Sequence, residues 1–300
     1  KPVVHGLFGN RLTILNNGIA QSGQQWGADH APEIDPLIAN RISVVKGVGA
    51  VEFLGSSLGS VILVEPKSID KDPHLHGVTR YFFNSNGINN GLNIELQQNY
   101  KWLAWKINGT LKKSGDAKTP DYFLTNTGIE EYNFSAELEK QITAKWKANV
   151  YYSSFNTQIG ILRGSHIGNL TDLESAFEAE QPFFTQDEFS YDIENPRQEV
   201  NHHLLKASTK YIFSERAWAE MVYAKQINTR KEFDVRRGDR NDKPALSLDQ
   251  ESDFFESKFH YYFENEWHLK SGIQFNRINN VNVPETGILP LFPNYLSIER

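Results

Sequence analysis

Residues 6–66 decide how this chain is read: GLFGNRLTILNNGI (6–19), GQQWGADHAPEIDP (23–36) and RISVVKGVGAVEFLGSSLGSVILVEP (41–66). Two short apolar strands, 12–15 and 42–45, are joined through turns rich in Gly, Asn and Pro. Short apolar runs bounded by such residues read as strands, because the boundary residues favour turns. A glycine cluster (Gly47, Gly49, Gly55, Gly59) then leads into a last strand, 61–64.

Composition narrows the class. The chain has 300 residues, enough for one large domain or two modest ones. Its net charge of −6 and lack of basic blocks speak against nucleic acid as a partner. No window approaches 18 consecutive apolar residues, so no transmembrane helix is expected. A mean hydropathy of −0.52 is still compatible with a membrane barrel, whose strands alternate lipid-facing and lumen-facing residues. With no cysteine there is neither a disulfide framework nor a thiolate metal site. Aromatic residues make up 12%, which suits either a β-sandwich core or the aromatic girdles of a barrel.

Past Pro66 the texture changes. A charged stretch, 67–72, ends at Pro73, and segments of period two follow. That period marks strands whose two faces meet different surroundings. In 101–113, Leu103, Trp105, Ile107 and Leu111 share one face, and Lys106, Asn108, Thr110 and Lys112 the other. Tyr132, Phe134, Ala136 and Leu138 likewise oppose Asn133, Ser135, Glu137 and Glu139. Trp146, Ala148, Val150 and Tyr152 oppose Lys147, Asn149 and Ser153. Phe255, Phe259, Tyr261 and Phe263 oppose Glu256, Lys258 and His260, and Trp267, Leu269, Ile273 and Phe275 oppose His268, Lys270, Gln274 and Asn276. In 204–213 and 218–230 the alternation blurs, with Leu204 and Ile212 on the polar face. About nine strands are expected from His74 to Asn279. Tight turns near 99–101, 141–144, 214–216 and 264–266 alternate with long polar loops at 114–128, 158–199 and 234–250. Short turns on one edge and long loops on the other are the habit of outer-membrane barrels. Within the second long loop, Thr171 and Glu174 have capping-box spacing, predicting a two-turn helix.

The opening segment resembles the second half of the plug domain of TonB-dependent outer-membrane receptors. Arg41, Ile42, Val44, Lys46 and Gly47 match that family's Arg-Ile-x-Val-x-Lys-Gly segment, and Leu58, Gly59, Val61 and Ile62 its Leu-Gly-Gly-Val-Ile ending. Ser43 departs from the usual acidic residue, and Phe53-Leu54 from an aromatic-Gly pair. The resemblance implies a mostly β fold: a partial α+β plug, residues 1–70, then the N-terminal part of a large antiparallel transmembrane β-barrel, 71–300. It further implies a bacterial outer-membrane location, with TonB, its inner-membrane energising complex and outer-membrane lipid as partners, and active import of a scarce small-molecule or metal substrate, foremost a metal ion or metal chelate, with siderophore, haem, cobalamin and oligosaccharide left open. The chain reads as a fragment, with no signal peptide and no TonB-contacting box at its N-terminus and a loop at its end. Two rivals make different demands. A soluble, carbohydrate-type β-sandwich would bury faces such as Trp105/Ile107 and Trp146/Val150 against a second sheet. A passive porin or adhesin would have no plug.

No catalytic constellation stands out. There is no Gly-x-Ser-x-Gly, nucleotide-binding glycine loop or zinc-protease helix motif, so an enzyme is not expected, nor an intrinsic cofactor. The foremost candidate is the turn-rich run 24–35, which in the family forms apical loops facing arriving substrate. Gln24, Gln25, Trp26 and Glu33 are expected to contact substrate there. Asp29 and His30 are expected to hold a divalent metal such as zinc, the transported substrate. Carboxylate and imidazole donors suit that ion, and the pair is similar to the Asp-His plug loop of the family's zinc-uptake branch. A plain turn accounts for the same residues, with Asp35-Pro36 as the turn signal. His202 and His203 are adjacent and point to opposite faces of a strand, whereas His74 and His76 share one. Arg163, Arg236, Arg237 and Arg240 lie in long loops, where they could attract an anionic chelate.

Overall fold

The structure, a computed structural model, describes residues 2–23, 33–53, 60–162, 164, 170–235, 242–264, 266–282 and 295–299. Gly55, Leu58 and Gly59 of the plug motif lie outside the described residues.

The first sheet comprises β1 (Leu12–Asn16), β2 (Ile19–Ala20), β3 (Ala39–Lys46) and β4 (Ser60–Pro66), in the order β2-β1-β4-β3. β1 runs parallel to β4, and the other pairs are antiparallel. Leu12, Ile14, Ile62 and Val64 form its apolar core together with Ile34 and Ile38. Three of these strands fall where the apolar runs predict them. The fourth, β2, went unread although its signal is in the sequence. Asn17 and Gly18 have φ of 50° and 81° and link the pair Asn16–Ile19, a two-residue hairpin of the kind Asn-Gly favours.

The second sheet begins with β5 (His76–Asn84), β6 (Asn89–Asn99) and β7 (Ala104–Ser114). The next loop carries β8 (Ala117–Lys118) and β9 (Phe123–Leu124), before β10 (Ile129–Thr143) and β11 (Trp146–Gly160). A longer loop carries α1 (Leu170–Glu178) and β12 (Thr185–Gln186). The sheet then continues through β13 (Arg197–Ser214), β14 (Ala217–Phe233), β15 (Leu246–Tyr262), β16 (His268–Asn282) and β17 (Tyr295–Glu299). Ten strands make one antiparallel meander, and β8, β9 and β12 pair separately, tying two long loops together. β17 runs where the sequence reading has a loop. α1 starts at Leu170, which puts Thr171 in its first turn and not at its cap.

The large sheet has two unlike faces. On one, a row of directly paired residues, Trp105–Leu138–Val150–Ala207–Tyr223–Phe255–Phe275, crosses seven strands. This face is not packed against a second sheet: Leu138 is 46% exposed and Val150 43%, and Trp146, on the same face of β11, 41%. The sandwich expectation therefore fails. Exposed apolar area on this scale marks a surface meant for an apolar medium or partner. The opposite face carries Lys106, Asn108, Thr110, Asn133, Ser135, His202, Gln226, Asn228 and Arg230, all buried. The small sheet packs on that polar face. We call the small sheet the plug and the large one the wall.

Leu204 explains the blurred alternation in β13. It lies on the polar face, is 2% exposed, and packs with Tyr151, Ala224, Phe254 and plug residue Ile19. Burying an isoleucine fully contributes roughly 2 kcal/mol, so the hairpin tip is an apolar anchor in a polar wall. Lys206 secures the same turn, its Nζ donating to the Asn17 carbonyl at 2.6 Å. Ile212 lies opposite Trp218, at the last pair before a register shift. Gly18→Ala, which places a Cβ on a left-handed backbone, should lower unfolding free energy by about 1–2 kcal/mol. An unchanged urea midpoint would contradict the hairpin assignment.

Candidate functional site

The plug and wall meet along a buried polar seam, and Glu33 is its centre. Asp35 and Pro36 set up the approach: Asp35 Oδ1 accepts from the Leu37 N–H at 2.9 Å and caps a 3-10 turn, Pro36–Ile38. Gln21 Nε2 donates to the Glu33 carbonyl at 2.9 Å, joining the two chain segments that flank residues 24–32. The Glu33 side chain then points into the wall. Oε1 accepts from Arg230 Nη2 and Oε2 from Asn228 Nδ2, while His202 Nδ1 lies 3.3 Å from Oε2. Gln226 extends the seam. Its Oε1 accepts from the Ser22 N–H at 3.1 Å, and its Nε2 donates to the Ala20 carbonyl at 3.0 Å.

Every wall residue in this set sits on one face through register. His202 pairs with Asn228 and Leu204 with Gln226, two residues apart along both strands. Gly23 is required where the plug abuts Asn228 of the wall. Its φ is +80°, and a Cβ there would stand 2.5 Å from Asn228 Nδ2. Beside the Glu33–Arg230–Asn228 contact, which we call the latch, is a cavity of about 20 Å³, lined by Asn16, Gln21, Asp35 and Asn133. Each of these has a buried polar atom without a protein hydrogen-bond partner among the described residues, and the space suits one water.

A second charged contact lies nearer the short-turn edge. Glu52 ends the 3-10 segment Gly47–Glu52, and its Oε1 accepts from Lys270, with Lys258 Nζ at 3.8 Å. Carboxylates on the plug thus face cations on the wall at both contacts. Burial pushes the Glu33 carboxyl up, but the hydrogen bond and charge of His202 and the charge of Arg230 outweigh it and hold it below the ordinary carboxylate range. Glu52 is lowered as well, chiefly by its hydrogen bond from Lys270.

Glu33, expected to contact substrate, is 4% exposed because its oxygens are committed to the wall. Gln24, Gln25, Trp26, Asp29 and His30 lie outside the described residues, as do Arg163, Arg236, Arg237 and Arg240. Arg41 pairs with Glu65 on the neighbouring plug strand at 2.8 Å, an exposed contact. Lys46 ends β3 opposite Ser60, and Gly47 takes φ +65° to start the 3-10 turn. His202 faces the plug, whereas His203 stacks on Tyr152 with ring centroids 6.2 Å apart. His74 and His76 come together on Asp72 Oδ1, at 2.6 and 3.4 Å. The His74 N–H and ring hold the Asp72 carboxyl down to about 2. Among the described residues, no group of three or more His, Cys, Asp or Glu is placed to hold a metal. Sequence reasoning missed His202, Gln226, Asn228 and Arg230 as seam residues. Leu204 was the visible clue, an apolar side chain breaking the polar face beside them.

Solved structures share this fold. The siderophore receptor PirA from Pseudomonas aeruginosa superimposes with a TM-score of 0.67 at 13% identity, covering 99% of this chain and 44% of that one. The fold is that of the TonB-dependent outer-membrane receptors. The ferric-catecholate import receptor Fiu from E. coli K12 gives a TM-score of 0.63 at 11% identity, over 96% of this chain and 41% of that one. The copper transporter OprC gives 0.66 at 13%, over 94% and 41%. The chain spans less than half the length of these three structures. No protein-family model and no curated protein matches its sequence.

Removing one partner of a buried ion pair leaves the other charge uncompensated. Glu33→Gln should therefore destabilise the folded chain by about 3–5 kcal/mol, and Glu33→Leu combined with Arg230→Met by less. Urea unfolding of the three proteins measures this, and equal losses would refute the pairing. The linkage sign follows from the lowered Glu33 pKa. Its contribution is complete above the ordinary value of 4.5 and is lost as pH falls through the lower folded value. Acidification should abolish the stability difference between wild type and Glu33→Gln.

Proposed function

We propose that this chain is the plug and adjoining barrel portion of a TonB-dependent outer-membrane transporter, with the plug ending near residue 70. Its substrate is a scarce nutrient, a metal ion or metal chelate. The observation that carries the reading is the seam: a four-stranded plug held by buried ion pairs and amides against the polar face of a wall whose other face is apolar and exposed. Such a joint is strong enough to seat the plug. It is also able to exchange protein hydrogen bonds for water at small net cost when force is applied.

In this reading TonB and the inner-membrane complex supply the force, and substrate arrives on the long-loop side. Residues 24–32 lie between Ser22 and Glu33, both held by the wall at the long-loop half of β14. Asp29 and His30 bind the metal, with Gln24, Gln25 and Trp26 around it. The similar structures are a siderophore receptor, a ferric-catecholate import receptor and a copper transporter, which supports metal as the cargo. The work is protein motion and not covalent chemistry, so neither a catalytic residue nor a resident cofactor is invoked.

Replacing His30 with Ala, and separately Asp29 with Ala, should weaken direct metal binding at least tenfold and slow growth under metal limitation, with receptor levels unchanged. Wild-type values in both assays would end the metal-binding role of this loop. Recovery of the intact protein in the soluble fraction would end the transporter reading itself.

A further inference from the structure

Between the plug and the wall, next to the latch, lies a second cavity of about 570 Å³. Its size falls within the range of small-molecule sites, about 300–1,000 Å³. Its floor is one row of directly paired residues on the polar face: Lys112, Glu131, Thr157, Val200 and Arg230, from β7, β10, β11, β13 and β14. The plug contributes Ile62, Val64 and Asp35 to the lining. Both cations of the floor are already engaged. Lys112 Nζ lies 3.0 Å from Glu131 Oε1, and Arg230 has Glu33 at Nη2 and Glu232 3.9 Å from Nη1. Asp35 is different. Its Oδ1 accepts from the Leu37 N–H, but its Oδ2 is buried and has no hydrogen-bond partner among the described residues. The lining thus sets three carboxylates, Glu33, Asp35 and Glu131, against two cations, Lys112 and Arg230. Asn89 Oδ1 and Thr157 Oγ1, also in the lining, are buried oxygens without partners as well.

A buried carboxylate without a counter-charge is costly, and a cation brought in by a ligand removes that cost. An anion would meet the surplus carboxylate and be repelled. A bare divalent metal ion would trade its water for aliphatic walls and too few oxygens, since a hard cation takes about six or more. An ammonium group on an apolar body suits both parts of the lining. It presents three N–H donors to oxygens that lack donors. Its body sheds unfavourable hydration against Ile62, Val64, Phe155 and Val200. We propose that this cavity binds an organic ammonium ion, with its charged head at Asp35 Oδ2 and its apolar body between plug and wall. The site belongs to the joint between the two sheets and does not depend on what the transporter carries. Because Glu33 and Arg230 also line the cavity, an occupant touches the residues that seat the plug.

The test uses crystals of the full-length receptor soaked in turn with 4-iodobenzylammonium, 4-iodobenzyl alcohol and 4-iodobenzoate, with iodine located by anomalous scattering. The ammonium probe is expected in the cavity at an occupancy at least tenfold above the alcohol and the benzoate. In Asp35→Asn, which keeps an oxygen for the Leu37 N–H, the ammonium probe should fall to the level of the alcohol. Val200→Phe, which fills the space without removing a charge, should exclude all three. The proposal is overturned if alcohol or benzoate matches the ammonium probe in the wild type, or if no probe enters it. An undiminished ammonium signal in either variant overturns it too, and the wild-type ranking decides alone where a variant does not fold. None of these outcomes bears on the transporter reading, which depends on which cell fraction holds the wild-type protein.

Discussion

A buried carboxylate must be compensated, and in this chain that requirement ties the two sheets together. Glu33 belongs to the plug, yet the groups that stabilise its charge, Arg230, Asn228 and His202, all belong to the wall. Neither sheet satisfies its buried polar groups alone. A buried ion pair is weak evidence for added stability, since desolvation offsets most of its Coulombic gain. What the pair disfavours is any other seating of the plug, which would leave Arg230 and Glu33 apart in a low-dielectric interior. Apolar contact between the sheets is concentrated at Ile19, where it adds adhesion without sealing the seam.

The wall follows from the same demand for two environments. One face holds amides, hydroxyls and charges that pair with each other or with the plug; the other holds an uninterrupted apolar row across seven strands. Because strand side chains alternate, a single-residue slip would exchange the faces. That would put Arg230 outside and Tyr223 against the plug. Register is therefore fixed from both sides at once.

This accounts for what was legible in the sequence. The wall strands could be read because their alternation is local and each strand repeats it. β1, β3 and β4 could be read because glycines and prolines bound them. The latch was not legible, since Glu33 and Arg230 are 197 residues apart and nothing nearby in sequence distinguishes Arg230 from other polar-face residues. Glu33 looked like a solvent-facing loop carboxylate because it sits among turn residues. Its burial depends on Gln21 holding its carbonyl, a contact set by the β1–β2 hairpin that was itself unread. Leu204 broke the alternation for the same reason: its environment is Ile19 of the plug.

The two charged contacts sit at different heights, and their separation has a mechanical consequence. Arg230 is three residues from the long-loop end of β14, whereas Lys270 is two residues from the short-turn start of β16. Glu33 and Glu52 therefore fix the plug near opposite edges of the wall, with Lys206 gripping the hairpin tip between them. A plug held at one height could pivot; one held at three resists rotation. Charged contacts hold it at both ends. Since Glu33 shares its carbonyl with Gln21 and its carboxylate with Arg230, the upper contact ties two plug segments to the wall at one point. The lower contact would still hold through Glu52 until something acted on it separately. Two fastenings at opposite edges hold the plug independently of each other, so loss of either leaves the other in place.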